Sequence, residues 1–163
     1  DVIHKICDLA DQFAKDVPTS LIHGDCHLSN ILWAKEVPTF VDFDDMVIGP
    51  AIQDLWLLLP GRDSHAREIL DEVLAGYQLF RDLPLGPSLK LVECLRALRM
   101  IHYSAWIGKR REDPAFKRNF PHFGTIEYWR NLYSDLNQQY IVISQSQYHP
   151  DINWPYDQEL NHY

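Results

Sequence analysis

The sequence is short of basic residues and has no glycine-rich segment. Lysine and arginine number 15 against 23 aspartates and glutamates, which gives a net charge of -8 with neutral histidines. Proteins that bind nucleic acids depend on basic patches for their phosphate contacts, so this balance argues against a nucleic-acid partner. The seven glycines are scattered along the chain and form no loop of the kind that cradles phosphates. No strand with a lysine of the Val-Ala-Ile-Lys type precedes residue 23 either.

Long apolar runs and paired cysteines are missing as well. No apolar stretch approaches the roughly 20 residues that a membrane-spanning helix needs, and the first residues do not resemble a signal peptide. Cys7, Cys26 and Cys94 are an odd number of cysteines without paired spacing. We therefore expect no membrane partner and a location in the reducing cytoplasm.

The remaining composition is that of a globular lobe. The chain has 163 residues, of which 46% are apolar and 23% charged, enough for one sizeable core. Apolar residues at helical spacing predict a mostly helical protein. The predicted helices cover residues 1–15, 51–59, 65–80, 88–107 and 125–144. Residues 83–87 and 111–124 are predicted connections, and an irregular tail is expected over 148–163.

Two polar motifs lie close together near the start of the chain. The first is His23-Gly24-Asp25-Cys26-His27-Leu28-Ser29-Asn30, and the second is Val41-Asp42-Phe43-Asp44-Asp45. Two short apolar runs, 31–34 and 39–41, lie between them and predict a β-hairpin whose turn contains residues 35–38. Such a hairpin starts just after Asn30 and ends at Asp42, so it brings these two side chains to the same end.

These residue types suit phosphoryl transfer to a hydroxyl group. The reaction depends mainly on positioning and on neutralising phosphate charge with metal ions. Magnesium takes hard oxygen ligands, typically one or two carboxylates besides the phosphates, and Asp42 with the side-chain carbonyl of Asn30 fits that role. Asp25 is then free to orient the acceptor hydroxyl and take its proton. The motifs thus predict a site for Mg²⁺ and ATP.

Other readings of the same residues remain possible from sequence. His23, Cys26 and His27 resemble part of a zinc site, but a structural zinc site needs four ligands, and hydrogen bonds from both histidines to the loop backbone are the competing reading. Cys26 has no basic neighbour to activate it as a nucleophile, which favours a packing role. Asp44 and Asp45 supply either a further metal contact or, more simply, solvated loop residues or a helix N-cap.

The motifs together resemble a known enzyme family. The His-Gly-Asp triplet, His27, Asn30 and the aspartate that closes the next strand are similar to the aminoglycoside phosphotransferase and choline-kinase-like branch of the protein kinase superfamily. Within that branch the chain resembles the bacterial stress response kinase A family, on residues 23–33, 40–45, 49–51, 53–56, 113–121 and 128–129. Those enzymes are cytoplasmic serine/threonine protein kinases. The resemblance covers most of the chain and is most specific between His23 and Trp56.

The resemblance assigns a role to each matching residue. It implies that Asp25 is the catalytic base and that Asn30 and Asp42 hold magnesium and ATP, with Asp42 counted among the catalytic residues. Asp54 resembles the helix aspartate that accepts backbone hydrogen bonds from the catalytic loop, a supporting role that we extend to His23 and His27. The acceptor implied by the resemblance is a serine or threonine hydroxyl of a protein substrate.

The implied fold is α+β and mostly α-helical. It is the C-terminal lobe of a protein-kinase-like fold with a small catalytic β-hairpin, with the catalytic loop at 21–45 and a helical subdomain at 49–147. The N-terminal lobe that supplies the phosphate loop and lysine is not in this sequence, so we expect the chain to be part of a longer kinase. Without that lobe, apolar surface on the first helix is expected to be exposed and to promote self-association.

Two alternatives to a protein kinase stay open. The same mechanism serves a small-molecule hydroxyl such as that of homoserine, choline or an aminoglycoside. A non-catalytic binding module is the other, because the lysine and phosphate loop are missing.

Two further groups of residues can be interpreted in more than one way. Four tryptophans, Trp33, Trp56, Trp106 and Trp129, have apolar neighbours and are predicted to be core. The cations at 109–111, with His102 and Tyr103, are either an acceptor-facing patch or a basic helix end that complements the helix dipole.

Overall fold

The structure is a computed structural model and describes residues 1–148. The irregular tail predicted over 148–163 therefore lies outside the described residues, apart from Tyr148, which ends the last helix. Along the described residues, six α-helices and four strands follow in the order α1 Val2–Ala14, β1 Thr19–Ile22, β2 Ile31–Ala34, β3 Val37–Phe40, β4 Val47–Pro50, α2 Ile52–Trp56, α3 Ser64–Gln78, α4 Leu85–Arg110, α5 Pro114–Asn119 and α6 Ile126–Tyr148. A short 3-10 helix, Leu28–Asn30, lies between β1 and β2.

The four long helices are confirmed, and the errors lie between them. The apolar run 51–59 is helical only over α2, and the helical subdomain predicted from residue 49 begins with two strand residues, Gly49 and Pro50. α4 begins at Leu85, inside the connection predicted at 83–87, because Pro87 lies in the first helical turn, where no intrahelical N–H bond is lost. The connection predicted over 111–124 contains α5. Asp113 caps that helix by accepting a hydrogen bond from the backbone N–H of Ala115.

The strands form two separate two-stranded antiparallel sheets. β2 pairs with β3 in the predicted hairpin, with Ile31 opposite Phe40 and Ala34 opposite Val37. The turn is shorter than expected and consists of Lys35 and Glu36, both at positive φ, because Val37 and Pro38 join the strand. The other sheet pairs β1 with β4. The sequence analysis missed this sheet, since each of its strands has only four residues and they are separated by the whole motif.

The described residues fall into two compact units. The helical unit contains residues 1–12 and 93–148, and the catalytic-loop unit contains residues 13–92. Fully buried aliphatic side chains mark a core in each: Ile6 and Ile143 in the helical unit, Ile52 and Leu70 in the catalytic-loop unit. No helix in the described part of the chain is long and apolar enough to cross a membrane.

The predicted burial of the tryptophans is mostly wrong. Trp56 is buried, but Trp33 and Trp129 are 67% and 47% exposed, and Trp106 is half-buried. The expectation of an exposed apolar surface on the first helix is also wrong, because Ile3 is the one large apolar side chain of α1 that is exposed. Exposed apolar side chains instead concentrate around the two sheets of the catalytic-loop unit, at Leu21, Leu28, Leu32, Trp33, Val37, Phe40, Phe43, Met46, Val47 and Ile48.

Candidate active site

Asp54 holds the loop that carries the first motif. It lies in the first turn of α2, and its two carboxylate oxygens accept hydrogen bonds from the backbone N–H groups of His23 and Gly24 at 2.7 and 2.9 Å. Hydrogen bonds to an ionised acceptor are about twice as strong as those between neutral groups. One side chain thus fixes two consecutive peptide groups some thirty residues earlier in the chain, which is the contact that the resemblance implied for Asp54.

Gln53 adds a third contact to the same loop and was missed by the sequence analysis. Its side-chain amide donates to the carbonyl oxygen of Gly24 at 3.3 Å and accepts from the indole N–H of Trp56 at 3.2 Å. Gln53 therefore links the loop to a buried tryptophan of α2. Its position next to Asp54 in the sequence is the signal that could have identified it.

Gly24 is required by the shape of the loop. Its φ is +85°, in the region that side chains rarely adopt, and a Cβ atom placed there would collide with the carbonyl oxygen of Asp45. The two motifs thus meet at this glycine, with the peptide of Asp45 packed directly on it. A residue with a side chain cannot take this position without moving one of the two segments.

Asn30 connects the loop to the hairpin. Asn30 is buried, and its side-chain Nδ2 donates to the backbone carbonyl oxygen of Asp25 at 3.0 Å. Its backbone carbonyl oxygen accepts from the backbone N–H of Val41, also at 3.0 Å. The second bond closes the base of the hairpin next to Asp42. The bond from Nδ2 to Asp25 orients the side-chain amide of Asn30, which leaves its Oδ1 as the atom that can act as an acceptor.

Asp42 is exposed and lies in a strained stretch of backbone. Its φ is +65°, which is uncommon for a residue other than glycine. His23 fixes the residues on both sides, since its Nε2 donates to the carbonyl oxygen of Val41 at 2.9 Å and its ring lies 4.7 Å from that of Phe43. The role of His23 is thus to hold the backbone around Asp42, in line with its expected bond to the loop backbone.

Asp25 is half-buried and next to a histidine. Nε2 of His27 lies 3.4 Å from its Oδ2, so the contact of His27 is with a carboxylate and not with the loop backbone as expected. The two side chains keep 34% and 25% of their surface exposed. Asp25 is therefore fixed through its own carbonyl, which accepts from Asn30, and still reachable from solvent.

The surroundings of Cys26, Asp44 and Asp45 bear on the other roles considered for them. Burial, with the negative charges of Asp54 and Asp25, raises the pKa of Cys26 to about 11, which suits a packing residue and not a nucleophile. Within residues 1–148, no group of three or more His, Cys, Asp or Glu side chains is arranged to hold a metal ion by themselves. The N-cap reading of Asp44 and Asp45 is wrong, because strand β4 follows them.

The donor set fits a magnesium ion that is shared with phosphates. Asp42 offers a carboxylate and Asn30 an amide oxygen, both hard ligands, and magnesium usually takes only one or two such groups from a protein. Residues 16–61 contain seven acidic side chains, and Lys35 is their one lysine or arginine. These acidic side chains would repel the phosphates of a nucleotide, and metal ions would offset that repulsion.

Comparisons with known proteins agree on one family. The family model described as "Phosphotransferase enzyme family" matches residues 3–92, which include both motifs and Asp54. Stress response kinase A of Escherichia coli O157:H7 is 38% identical over 140 residues, which cover 86% of this chain and 42% of that protein. The serine/threonine protein kinase RdoA of Salmonella typhimurium is 40% identical over 128 residues, 78% of this chain and 38% of that protein. The chain thus spans about two fifths of the length of these relatives.

A solved structure shows the same fold. The spectinomycin phosphotransferase crystallised with ADP and spectinomycin matches with a TM-score of 0.52 and 16% sequence identity, over 88% of this chain and 45% of that protein. The predicted α+β, mostly helical fold of the aminoglycoside phosphotransferase type is thereby confirmed. At this level of identity the likeness concerns the fold and not the substrate.

Proposed function

The chain belongs to the Phosphotransferase enzyme family, and from that premise we propose that it carries the catalytic loop of an ATP- and Mg²⁺-dependent serine/threonine protein kinase. The observation that supports this most is the position of Asp54, whose carboxylate holds the backbone of residues 23 and 24 immediately before Asp25. An acceptor-activating carboxylate needs such a fixed loop, because misplacement by about 1 Å can cost about a hundredfold in rate.

In this proposal each polar residue has one task. Asp25 orients the acceptor hydroxyl and receives its proton as the oxygen bonds to the γ-phosphorus and ADP leaves. Asn30 and Asp42 hold Mg²⁺, which when bound neutralises phosphate charge and positions the nucleotide. His23, His27 and Asp54 support this arrangement: the first holds the backbone around Asp42, the second contacts Asp25, and the third holds the loop.

A protein acceptor is favoured by the relatives. Both relatives described above are named as kinases, one of them as a serine/threonine protein kinase. A small-molecule alcohol is the second candidate, because the solved phosphotransferase of the same fold was crystallised with spectinomycin. A non-catalytic binding module is a third reading.

The partners and the location are part of the proposal. An N-terminal lobe would supply the phosphate loop and lysine and would cover exposed apolar residues such as Leu32 and Trp33. Without that lobe, these residues would favour self-association. The three free cysteines of the described residues support a reducing cytoplasm.

The first test is titration calorimetry with Mg-ATP. We expect Asp42→Asn to abolish nucleotide binding, because it removes the charged metal ligand, whereas Asp25→Asn should leave binding intact. Asp71→Asn is the matched control, since it makes the same change on an exposed aspartate that lies outside both motifs. Binding that survives Asp42→Asn would contradict the assigned metal site. No heat at millimolar nucleotide would mean that this chain needs the additional lobe to bind ATP.

The second test is phosphoryl transfer from γ-labelled ATP. Dephosphorylated casein, homoserine, choline and spectinomycin are offered as acceptors, with this chain and with the longest natural protein that contains it. We expect label on casein serine or threonine, and a loss of about 10²–10⁴-fold in rate with Asp25→Asn, the usual contribution of a general base. Label on a small alcohol alone would select the second candidate, and transfer that is unaffected by Asp25→Asn would refute the assigned base.

A further inference from the structure

An open pocket lies in the helical unit, between the end of α4, the helix α5 and the start of α6. Its volume is about 470 Å³, within the range typical of small-molecule and side-chain binding sites. Its apolar lining consists of Ile107, Phe116, Phe120, Pro121, Phe123 and Trp129. None of these residues takes part in the proposed phosphotransfer, so the pocket needs its own explanation.

Among residues 1–148, the aromatic walls of this pocket are only partly covered by other side chains. Ring centroids lie 5.8 Å apart for Phe116 and Phe120 and 5.6 Å apart for Phe123 and Trp129, so the rings form contacting pairs. Yet α5 has no buried residue, and Trp129 is 47% exposed. Aromatic side chains contribute most to stability when buried, so an open cluster of them marks a surface for a partner.

The apolar surface continues along α6. Ile126 and Tyr133 are 72% and 63% exposed and lie three residues before and four residues after Trp129. This spacing places all three side chains on one face of the helix. The pocket is thus extended by a ridge of about two helical turns, which suits an elongated ligand better than a compact one.

The rim of the pocket is basic in an otherwise acidic protein. Residues 109–118 carry a net charge of +3, whereas the whole chain carries -8. Arg111 and Lys117 line the pocket, and both contact Glu112, at 3.3 and 3.2 Å. The hydrogen bond from Lys117 holds the pKa of Glu112 below its ordinary value, so this group of three keeps one net positive charge.

A basic helix end explains only part of this charge. Arg110 behaves as that reading predicts, since its guanidinium donates to the carbonyl oxygen of Trp106 and lies 4.2 Å above the Trp106 ring. Arg111 follows the last residue of α4 and Lys117 lies in the last turn of α5, so the helix dipoles favour both cations. The dipoles do not account for the place of both side chains in the lining of the pocket, together with its aromatic walls.

We propose that this pocket docks an acidic peptide segment of a partner protein. An aromatic side chain of the peptide enters between the Phe116–Phe120 and Phe123–Trp129 pairs, and its flanking carboxylates contact Arg111 and Lys117. Aromatic residues and arginine are the groups that contribute most to protein interfaces, and arginine pairs with carboxylates through two hydrogen bonds. Single-stranded nucleic acid also uses aromatic and basic side chains, but it needs a basic groove along its backbone, whereas this pocket offers Arg111 and Lys117 beside Glu112. This docking site does not depend on the proposed phosphotransfer.

The test uses fluorescence anisotropy with labelled peptides and no nucleotide. We expect the peptide EDEWDE to bind at low ionic strength and to be released as salt is added, because the rim charges are exposed. The analogue EDEADE, which lacks the anchor, and the basic peptide KRKWKR should each bind at least about tenfold more weakly, the loss expected for one dominant contact. An oligothymidylate of equal length should also bind more weakly than EDEWDE.

Two pairs of variants separate the anchor from the charge. Lys117→Glu should weaken EDEWDE binding at least about tenfold, whereas Lys15→Glu, the same reversal on an exposed residue elsewhere, should not. Trp129→Ala should weaken it by a similar factor, whereas Ile141→Ala, an exposed apolar residue of the same helix, should not. Far-UV circular dichroism of each variant establishes that the helices remain.

Four results would overturn the proposal. They are the absence of any EDEWDE binding, equal binding of KRKWKR, oligothymidylate binding as tight as that of the peptide, and an effect of Lys117→Glu without any effect of Trp129→Ala. The last would mean that general charge attraction holds the peptide and that the pocket does not. All four are measured without ATP, so they are independent of the outcome for the proposed kinase activity.

Discussion

The two units of this protein use their polar and aromatic groups in opposite ways. In the catalytic-loop unit, the two carboxylate oxygens of Asp54 satisfy two backbone donors, and a glycine at positive φ lets two loops touch. In the helical unit, the buried hydrogen bond between Gln139 and Glu93 lies inside the core, while the aromatic side chains of the pocket stay open at the surface. Backbone positions are fixed where chemistry is proposed, and side-chain surface is left open where recognition is proposed.

The sharpest test of this contrast substitutes one glycine in each setting. Gly24→Ala should lower the free energy of unfolding by about 4 kcal/mol, because it combines an unfavourable φ with a collision against the Asp45 carbonyl. Gly124→Ala in the helical unit also has a positive φ, +83°, but its Cβ would meet open space, so about 1 kcal/mol is expected. Urea denaturation of the two variants measures the difference.

A third glycine provides the control for this experiment. Gly76 lies in α3 with open space around its Cβ position, so Gly76→Ala should raise stability by about 0.5–1 kcal/mol through the better helix propensity of alanine. A Gly24→Ala variant as stable as the wild type would show that the loop backbone can shift to accommodate a side chain at little cost in free energy. The contrast between a fixed loop and an open surface would then fail.

The next largest effect is expected at Asp54. Asp54→Ala leaves the N–H groups of His23 and Gly24 without their acceptor, and a loss of about 2–3 kcal/mol in unfolding free energy should follow. Asp71→Ala is the matched control, because the exposed carboxylate of Asp71 accepts from the side chain of Arg67 one turn earlier in α3, a pair worth about 0.5 kcal/mol. Chemical denaturation of both variants gives the comparison, and equal losses would contradict the bracing role.

The smallest effect concerns the pH dependence of stability near Cys26. The folded protein raises the pKa of this thiol from 9.0 to about 11, so the unfolded chain releases its proton first as pH rises. The contribution of Cys26 to stability is therefore complete below pH 9 and is lost between pH 9 and about 11. Thermal unfolding across this range should show a steeper decline for the wild type than for Cys26→Ala. Parallel curves would count against burial of the thiol beside Asp54 and Asp25.

Much of the candidate site could be predicted because it is local in sequence. Asn30 and Asp42 are joined by a short hairpin, so the apolar runs between them already place both at one end of it. The long helices could also be predicted, since their apolar spacing is regular over several turns. The short elements could not be predicted, because α5 and the strands β1 and β4 have too few residues to show a periodic pattern.

Burial was the property that sequence predicted least well. Apolar neighbours suggested that Trp33 and Trp129 were core, yet Trp33 lies on a two-stranded sheet and Trp129 on an open pocket. An apolar run shows that a segment prefers to be covered, but not whether anything in this chain covers it. The open pocket and its basic rim became visible only once α4, α5 and α6 were placed around it.

The sequence by itself determined the residue types at the site, the hairpin that joins them and the helical character of the chain, because these depend on neighbours a few residues apart. The tertiary structure alone decided that Gly24 must be a glycine, that Gln53 joins Asp54 in holding the loop and that the ring of His23 bonds to the carbonyl beside Asp42. Each of these depends on contacts between segments some twenty to thirty residues apart. Local spacing cannot specify such contacts, because only the packing of the chain sets the distance between distant segments.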